Sequence, residues 1–442
     1  MNIQSTFLRI SFWLNDYIKG SPIRKLYNEI KYLSENSFEK CIHIREQKLK
    51  KILHHAITNT EYYKGYSYNL NEFPIMNKYK YLENYNSIKV NIKHIPGQIG
   101  ELHIQSTSGS TGTPFSIPQD TLKRQRRIAE LKYFGKIVGF KTHDKLIHLR
   151  TWNKWQSKTQ KQIRKENIIP FDISELGENK IKELCNLINK EKAICLRGYA
   201  SSFNYLSHYA QKHSLNFPSL KIIIAGSEAL HEDTRHNVKE TFNCEIISQY
   251  ANEECGILAQ ERIPTLEKDN PMYLNHASYF FEILKLDNDN PVEYGELGRI
   301  VITDLHNYAF PIIRYDTGDI GILLPPDNYS NGFPILGKLY GRRFDICYTT
   351  NNAPFFPMTI GRILKHYPEI LQWQFIQKGA KNYLLKLILK KDIETNYINT
   401  IILELKEHIG NDACIEFESV SEIPVLSSGK RKSLINEWKE TK

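Results

Sequence analysis

Residues 193–251 read AICLRGYASSFNYLSHYAQKHSLNFPSLKIIIAGSEALHEDTRHNVKETFNCEIISQYA. Three short apolar runs stand out: AICLRG, LKIIIAG and CEIISQYA. Two polar stretches with helical character, Ser202–His213 and His231–Phe242, separate them. Short β-branched runs alternating with helices describe parallel strands covered on both faces. The alternation extends upstream, where TLKRQRRIAELKYFGKIV precedes KLIHLRT and a helix at Asn179–Lys190 precedes AICLRG. In such sheets, ligands bind at the carboxyl ends of the strands. Those ends read Arg197-Gly198-Tyr199, Ala225-Gly226-Ser227-Glu228 and Gln249-Tyr250. Glycine and polar residues where a strand stops are what a ligand cleft needs.

Further out, residues 1–65 read as helical, with Ile42, Ile44, Leu49, Ile52, Leu53 and Ile57 at three- and four-residue spacings. Phe7–Ile18 is partly apolar but contains Arg9 and Asp16 and lacks a small-residue cleavage site, so it is a poor signal peptide. It is expected to dock on the main body, the alternative being a helix on a membrane surface. From about 277 to 345 the pattern is β-rich: YFFEILKL, GRIVITDL, FPIIRY and DIGILL. Residues 350–442 then read helix, hairpin (WQFIQ and YLLKLILK), helix, strand (ACIEFESV), terminal loop and helix. The predicted class is α/β. A large N-terminal body, residues 1–345, holds parallel or mixed sheets covered by helices, and residues 346–442 form a small α+β domain.

Composition narrows the function. Of 442 residues, 41% are hydrophobic and 12% aromatic, which excludes wholesale disorder. Lys and Arg number 59 against 49 Asp and Glu, a net charge of +10. That suits an anionic partner, although the excess is spread along the chain as on a solvated Lys-rich surface. No helix-turn-helix, zinc or RNA-binding motif is legible, so nucleic acid is not an expected partner. Seven cysteines with no CxxC argue against a disulfide framework and a cysteine zinc site, and favour a cytoplasmic location. No apolar run reaches the roughly 20 residues of a membrane span.

The segment with the most chemistry is Gln105–Ile117, QSTSGSTGTPFSI, which precedes a helix. Small residues let a backbone approach phosphate closely, and hydroxyls and N–H groups supply donors. It is not a Walker A loop, because the GK[ST] ending is missing. STSGSTGTP resembles the phosphate loop of the adenylate-forming superfamily, which includes acyl- and aryl-CoA ligases, peptide-synthetase adenylation domains and luciferases. Four more resemblances follow in that superfamily's order. Tyr250-Ala-Asn-Glu-Glu254 is similar to Y-G-x-T-E, and Arg314-Tyr-Asp-Thr-Gly-Asp319 to Y-x-T-G-D. Gly341-Arg342 opens a hinge motif, and Ser428-Gly429-Lys430 resembles the S-G-K near the C-terminus. LKKILHHAITNTEYYKGY, RGYASSFNYLSHYA, YANEECGILAQE and VITDLHNYAFPIIRYDTGD resemble the phenylacetate–CoA ligase-like branch and its capsule-biosynthesis relatives.

The resemblance implies a large body with a mobile C-terminal lid, and a reaction of a carboxylic acid with ATP that gives an acyl-adenylate and pyrophosphate. It implies that Thr107, Ser108, Ser110, Thr111, Gly112 and Thr113 bind the β- and γ-phosphates. Glu254 would hold Mg²⁺. Tyr250 would lie beside adenine, with Gly226, Ser227 and Glu228 lining the same nucleotide pocket and Ala251 among the cofactor-binding positions. Asp319 would accept the ribose hydroxyls, since an ionised carboxylate is a pure acceptor. Arg342 would reach the ribose or phosphates, and Lys430 would stabilise charge at the α-phosphate. The acceptor is CoA or an amine.

The chain departs from the pattern in three places. Ala251 replaces a glycine. The hinge reads Gly-Arg-Arg-Phe-Asp, with Phe344 at the usual aspartate and Asp345 next to it. The segment after it, YTTNNAPFFP, lacks the glycines that help bind a pantetheine arm. The last two, together with the capsule-like motifs, weigh against CoA and toward an amine, such as an amino sugar in polysaccharide assembly. An inactive relative serving as a scaffold or sensor is the alternative reading. Tyr199, Phe203, Trp152 and Trp155 are candidates for the acid pocket or for the core. His103, His148 and His276 are expected to be structural.

Overall fold

The apolar runs form strands because their β-branched residues are buried on both faces. The computed structural model describes residues 3–106, 115–152, 158–174, 177–263, 270–342, 347–355, 357–364, 366–390, 395–423 and 433–438. The chain divides into two units, one formed by Met1–Leu230, Thr234–Thr317 and Gly321–Leu339, the other by His231–Asp233, Gly318–Ile320 and Tyr340–Lys442.

The first unit opens with helices α1 (Ile3–Ile18), α2 (Pro22–Glu35), α3 (Phe38–Asn59), α4 (Lys78–Glu83) and α5 (Tyr85–Ile88). Strands β1 (His103–Ser106) and β2 (Ser116–Gln119) pair as an antiparallel hairpin. Next come α6 (Thr121–Ile137), β3 (Leu146–Arg150), α7 (Gln160–Glu166), β4 (Ile168–Asp172), α8 (Glu178–Glu191), β5 (Cys195–Tyr199), α9 (Ala200–Lys212) and β6 (Ile222–Gly226). Helix α10 (Glu232–Phe242) precedes β7 (Glu245–Asn252), β8 (Gly256–Glu261), β9 (Met272–Leu274), β10 (Tyr279–Leu284), β11 (Leu297–Asp304), β12 (Tyr315–Leu324) and β13 (Ile335–Arg342).

Eleven of these strands make one sheet in the order β10, β11, β12, β13, β9, β8, β7, β6, β5, β3, β4. Strands β4, β3, β5, β6 and β7 run parallel, and antiparallel pairing begins at β7–β8. One face of the parallel half packs Leu196, Ile223 and Ile246 with Leu184, Phe203 and Val238 from α8, α9 and α10. The other packs Cys195, Ile224 and Ile247 with Ile137 and Val138 at the end of α6.

Helix α1 docks on this unit. Arg9 pairs with Asp144 at 2.7 Å, and Trp13 meets Tyr27 edge-on. Ile3, Phe7, Ile10 and Leu14 on α1 are exposed. Among the described residues no helix is long and apolar enough to cross a membrane.

The second unit holds β14 (Cys347–Tyr348), β15 (Pro354–Phe355), α11 (Pro357–Leu364), β16 (Ile370–Gln377), β17 (Asn382–Leu389), α12 (Thr395–Ile409), β18 (Cys414–Ser419) and β19 (Leu434–Asn436). Its four-stranded sheet has the order β18, β17, β16, β19. Phe375, Leu385, Ile401 and Leu405 form its core. All seven cysteines are free; six are buried and Cys414 is exposed.

Two sequence expectations are corrected here. FPIIRY is not a strand before Tyr315. Its residues are buried without ladder pairing, and Arg314 turns the chain with a φ of 45°. The C-terminal stretch is not helical at Leu434–Asn436, which pairs in parallel with β16. Strand β4 and helix α7 were not legible, because IIPFD carries a proline and α7 has seven residues.

Candidate active site

Register aligns the strand ends. His148 lies opposite Arg197, Tyr199 opposite Gly226, and Gly226 opposite Gln249. His148 and Arg197 fall on one level and Tyr199, Gly226 and Gln249 on the next level of the same face, two residues on, as the alternating pattern requires. Gly198 points to the other face, where a Cβ would come within 2.7 Å of the Leu149 Cβ and carbonyl oxygen. A glycine there permits close packing of β3 on β5. After Gly226 the chain turns through Ser227, whose φ is 67°, a conformation costly for a side-chain-bearing residue. The Glu228 carboxylate then accepts the Ser201 N–H at 3.0 Å, in the first turn of α9. A carboxylate at a helix N-terminus is favourably placed.

The turn from β7 to β8 separates two neighbouring glutamates. Asn252 Oδ1 accepts the Cys255 N–H at 2.8 Å and folds the turn. Glu254 is buried, and its Oε1 accepts the Tyr315 hydroxyl at 3.2 Å. Its backbone carbonyl accepts Gln119 Nε2 at 3.1 Å. Glu253 is partly exposed; its Oε2 accepts Gln105 Nε2 at 2.7 Å, and Arg150 stands 3.7 Å from its Oε1. The Glu253 carbonyl accepts Arg127 at 2.8 Å.

Tyr250 is buried, and its hydroxyl donates to Thr317 Oγ1 at 3.3 Å, while Thr317 donates to the Ile300 carbonyl at 2.9 Å. The YANEE and RYDTGD segments are therefore tied twice, through Tyr250–Thr317 and Glu254–Tyr315. Two further polar residues of RYDTGD, Arg314 and Asp316, are structural. Arg314 clamps Glu282 at 2.9 and 3.2 Å and donates to the Asn71 and Phe73 carbonyls. Asp316 pairs with Arg299 at 3.1 Å.

Of the other predicted site residues, Ala251 is exposed and sits at an irregularity in the β7–β8 register. Asp319 is partly exposed on β12, and Arg342 closes β13. Ser106 and Ser116 hydroxyls meet at 2.6 Å across the β1–β2 hairpin. Thr107, Ser108, Ser110, Thr111, Gly112 and Thr113 fall between those strands, outside the described residues, as do Phe344, Asp345, Trp155 and Lys430. Phe203 is a core residue. Trp152 is partly exposed, its ring edge-on to His148. His148 is pushed well below its usual range by burial and then by the charges of Arg197 and Arg150, so it is neutral. His276 is buried and pushed down to about 3, chiefly by burial. His103 lies exposed on β1.

Sequence reasoning missed the polar set around Glu253. Arg197 donates to Gln249, and Arg124 donates to Gln105 at 3.3 Å and Gln119 at 3.2 Å. Burial and the neighbouring Arg127 lower Arg124 to about 10, so it remains cationic. The available signal was Arg197 at the end of an apolar run.

No group of three or more His, Cys, Asp or Glu among the described residues could hold a metal ion alone. One buried carboxylate, Glu254, suits an ion whose other ligands are phosphate oxygens and water, which fits Mg²⁺.

The chain is similar over nearly its whole length to a solved 2-hydroxyisobutyryl-CoA ligase in the postadenylation state. The TM-score is 0.71 at 14% identity, covering 92% of this chain and 91% of that one. It carries the adenylate-forming ligase fold. The amide bond synthetase McbA from Marinactinospora thermotolerans is more distant, with a TM-score of 0.53 and 13% identity over 75% of this chain and 67% of that one. Residues 348–437 match the CapK C-terminal domain family. Protein CapK of Staphylococcus aureus is 23% identical over 451 residues, 96% of this chain and 95% of that protein. The resemblance to adenylate-forming ligases and their capsule-biosynthesis branch is thus borne out.

Proposed function

We propose that this protein activates a carboxylic acid with ATP as an acyl-adenylate, releases pyrophosphate, and passes the acyl group to an acceptor during assembly of a surface polysaccharide. The observation that carries the reading is the pairing of Tyr250 with Thr317 and of Glu254 with Tyr315, which gathers two nucleotide motifs at the sheet. The CapK relative supports the polysaccharide setting. Residues 1–345 form the catalytic body and 346–442 the lid.

Two anions must meet in the first step, so the site has to neutralise phosphate charge without blocking attack. The carboxylate of the acid attacks the α-phosphorus, and pyrophosphate leaves. Thr107, Ser108, Ser110, Thr111, Gly112 and Thr113 hold the departing phosphates by hydroxyl and N–H donors. Lys430 supplies positive charge at the α-phosphate. Glu254 would hold Mg²⁺, which when bound would supply charge neutralisation at the phosphates. Tyr250 lies beside the adenine, Gly226, Ser227 and Glu228 line its pocket with Ala251 among the cofactor-binding positions, Asp319 accepts the ribose hydroxyls, and Arg342 reaches the ribose or phosphates. In the second step a nucleophile attacks the acyl carbon and AMP leaves.

The acceptor is an amine in this reading. Residues 347–355 form a tight hairpin, β14 and β15, whose turn closes through Thr349 N–H to the Ala353 carbonyl at 2.8 Å. Its TTNNA turn lacks glycine, whereas a pantetheine arm lying along the backbone favours one.

ATP–pyrophosphate exchange with Mg²⁺ against aryl, fatty, amino and uronic acids tests the first step. Acid-dependent exchange is expected with one class. Failure of every acid to support exchange would reject the reading. Efficient CoA thioester formation with the accepted acid would reject the amine acceptor.

A further inference from the structure

The α6-facing side of the parallel sheet changes character along its strands. Leu146, Cys195, Ile222, Ile224 and Ile247 are buried and apolar on that face. Toward the carboxyl ends the same face carries His148, Arg150, Arg197 and Gln249. Gly226 lies level with Tyr199 and Gln249 and bears no side chain, so the backbone is bare between them. The first turns of α6 add Arg124 and Arg127, both partly buried.

The described partners of this set are mostly neutral. Arg197 donates to Gln249, Arg124 to Gln105 and Gln119, and Arg127 to a backbone carbonyl. Glu253 is the carboxylate whose charge Arg124, Arg150 and Arg197 share. Glu228, which like Arg150 stands near Tyr199, caps α9. Arg127 also lies beside Glu130 and Glu254, so the excess rests on Arg124, Arg150 and Arg197, which against Glu253 leave two positive charges (3 − 1 = 2) within this group of side chains. His148 offers no relief, because it is neutral. Partly buried cations in excess call for an anion, and a planar guanidinium is suited to grip a carboxylate with two parallel bonds.

We infer that Arg197 and Arg150 receive a second carboxylate on the acid substrate, so that the enzyme activates dicarboxylic acids or acids with a like anionic group at their far end. This rests on the adenylation reading. One carboxylate faces ATP and reacts, while the other is held at the ends of β3 and β5. The chemistry of the step is unchanged: the remote anion neither forms nor breaks a bond.

The test uses the full-length protein, with ATP–pyrophosphate exchange on matched pairs of dicarboxylic acids and their half-amides, and of uronic acids and simple monocarboxylates. The doubly anionic member of a pair is expected to have a kcat/KM about 10- to 100-fold higher, the range that a charged hydrogen bond supplies. Arg197→Gln is expected to raise its KM by a similar factor, to leave the half-amide unpenalised, and to keep the KM for ATP within about twofold. Arg150→Gln, at a side chain 24% exposed, carries the test if the first variant does not fold.

Preference for monocarboxylates overturns the proposal. So does a loss of ATP or pyrophosphate affinity in Arg197→Gln without a change for the acid, which would assign these arginines to the phosphates. If no acid supports exchange, calorimetry with the dicarboxylates decides. Binding that Arg197→Gln weakens keeps the anion site while adenylation fails; absence of binding overturns both.

Discussion

Glu253 and Glu254 are adjacent in the chain, yet one is shared among cations and the other is buried against a tyrosine hydroxyl. That difference assigns them different work. Glu254→Gln is expected to lower acid-dependent exchange by about 100-fold, the scale of one lost electrostatic contact in an active site, with an unchanged melting temperature. An unchanged rate would remove Glu254 from the metal role. Lys430→Ala should lose acid-dependent pyrophosphate release but retain ATP binding in calorimetry. Lys123 and Asp304 are a separate case: both are fully buried and meet at 2.6 Å. Lys123→Met leaves the aspartate without its cation and is expected to cost about 3–5 kcal/mol, read as a lower denaturant midpoint. At this scale the sequence showed the motif letters but not their contacts. Tyr315 reaches Glu254 across 61 positions, and no local spacing encodes such a pair. Arg314 and Asp316 sit inside the RYDTGD segment, yet their charges are spent on Glu282 and Arg299.

Helices and strands were more legible than side chains, because burial on both faces imposes continuous apolar runs on β3, β5, β6 and β7. FPIIRY has the same composition and is not a strand. Its proline lacks an N–H for a ladder, and its buried carbonyls and amides are satisfied instead by long-range partners such as the Tyr81 hydroxyl, which donates to the Ile313 carbonyl at 3.0 Å and accepts the Ile313 N–H at 2.8 Å. Composition cannot distinguish those two solutions. The β3–β5 seam has little tolerance: Gly198→Ala places a methyl 2.7 Å from Leu149 and is expected to destabilise by about 1–3 kcal/mol. Helices α2, α3 and α6 meet at Glu29, which bonds Arg126 and Lys48. Burial raises the Glu29 pKa, but the two cations outweigh it and hold it below the usual 4.5. Its contribution to stability is therefore complete above that value and is lost as pH falls through the lower folded pKa. Glu29→Gln should flatten the decline of melting temperature with acid below about pH 4.5, and an unchanged profile would show that the joint does not titrate.

At the scale of the whole molecule, the alternation of helices and strands made the larger unit legible, and the hairpin WQFIQ–YLLKLILK marked the smaller one. The anion-rich chemistry proposed for the site was not legible in the net charge of +10, because charge totals say nothing about where arginines converge. The same economy of placement governs sulfur. Six cysteines are buried, and burial raises Cys185 to about 11 and Cys244 to about 12. Cys414 alone is exposed, at the start of β18 in the smaller unit. Ellman's reagent on the folded protein should therefore register one fast thiol per chain and the other six only after unfolding; two or more fast thiols would contradict the burial. A fluorophore coupled to Cys414 would mark the C-terminal unit without any prior removal of cysteines, so the native chain already carries a single attachment point for an optical reporter of that unit, to be read with and without added ATP.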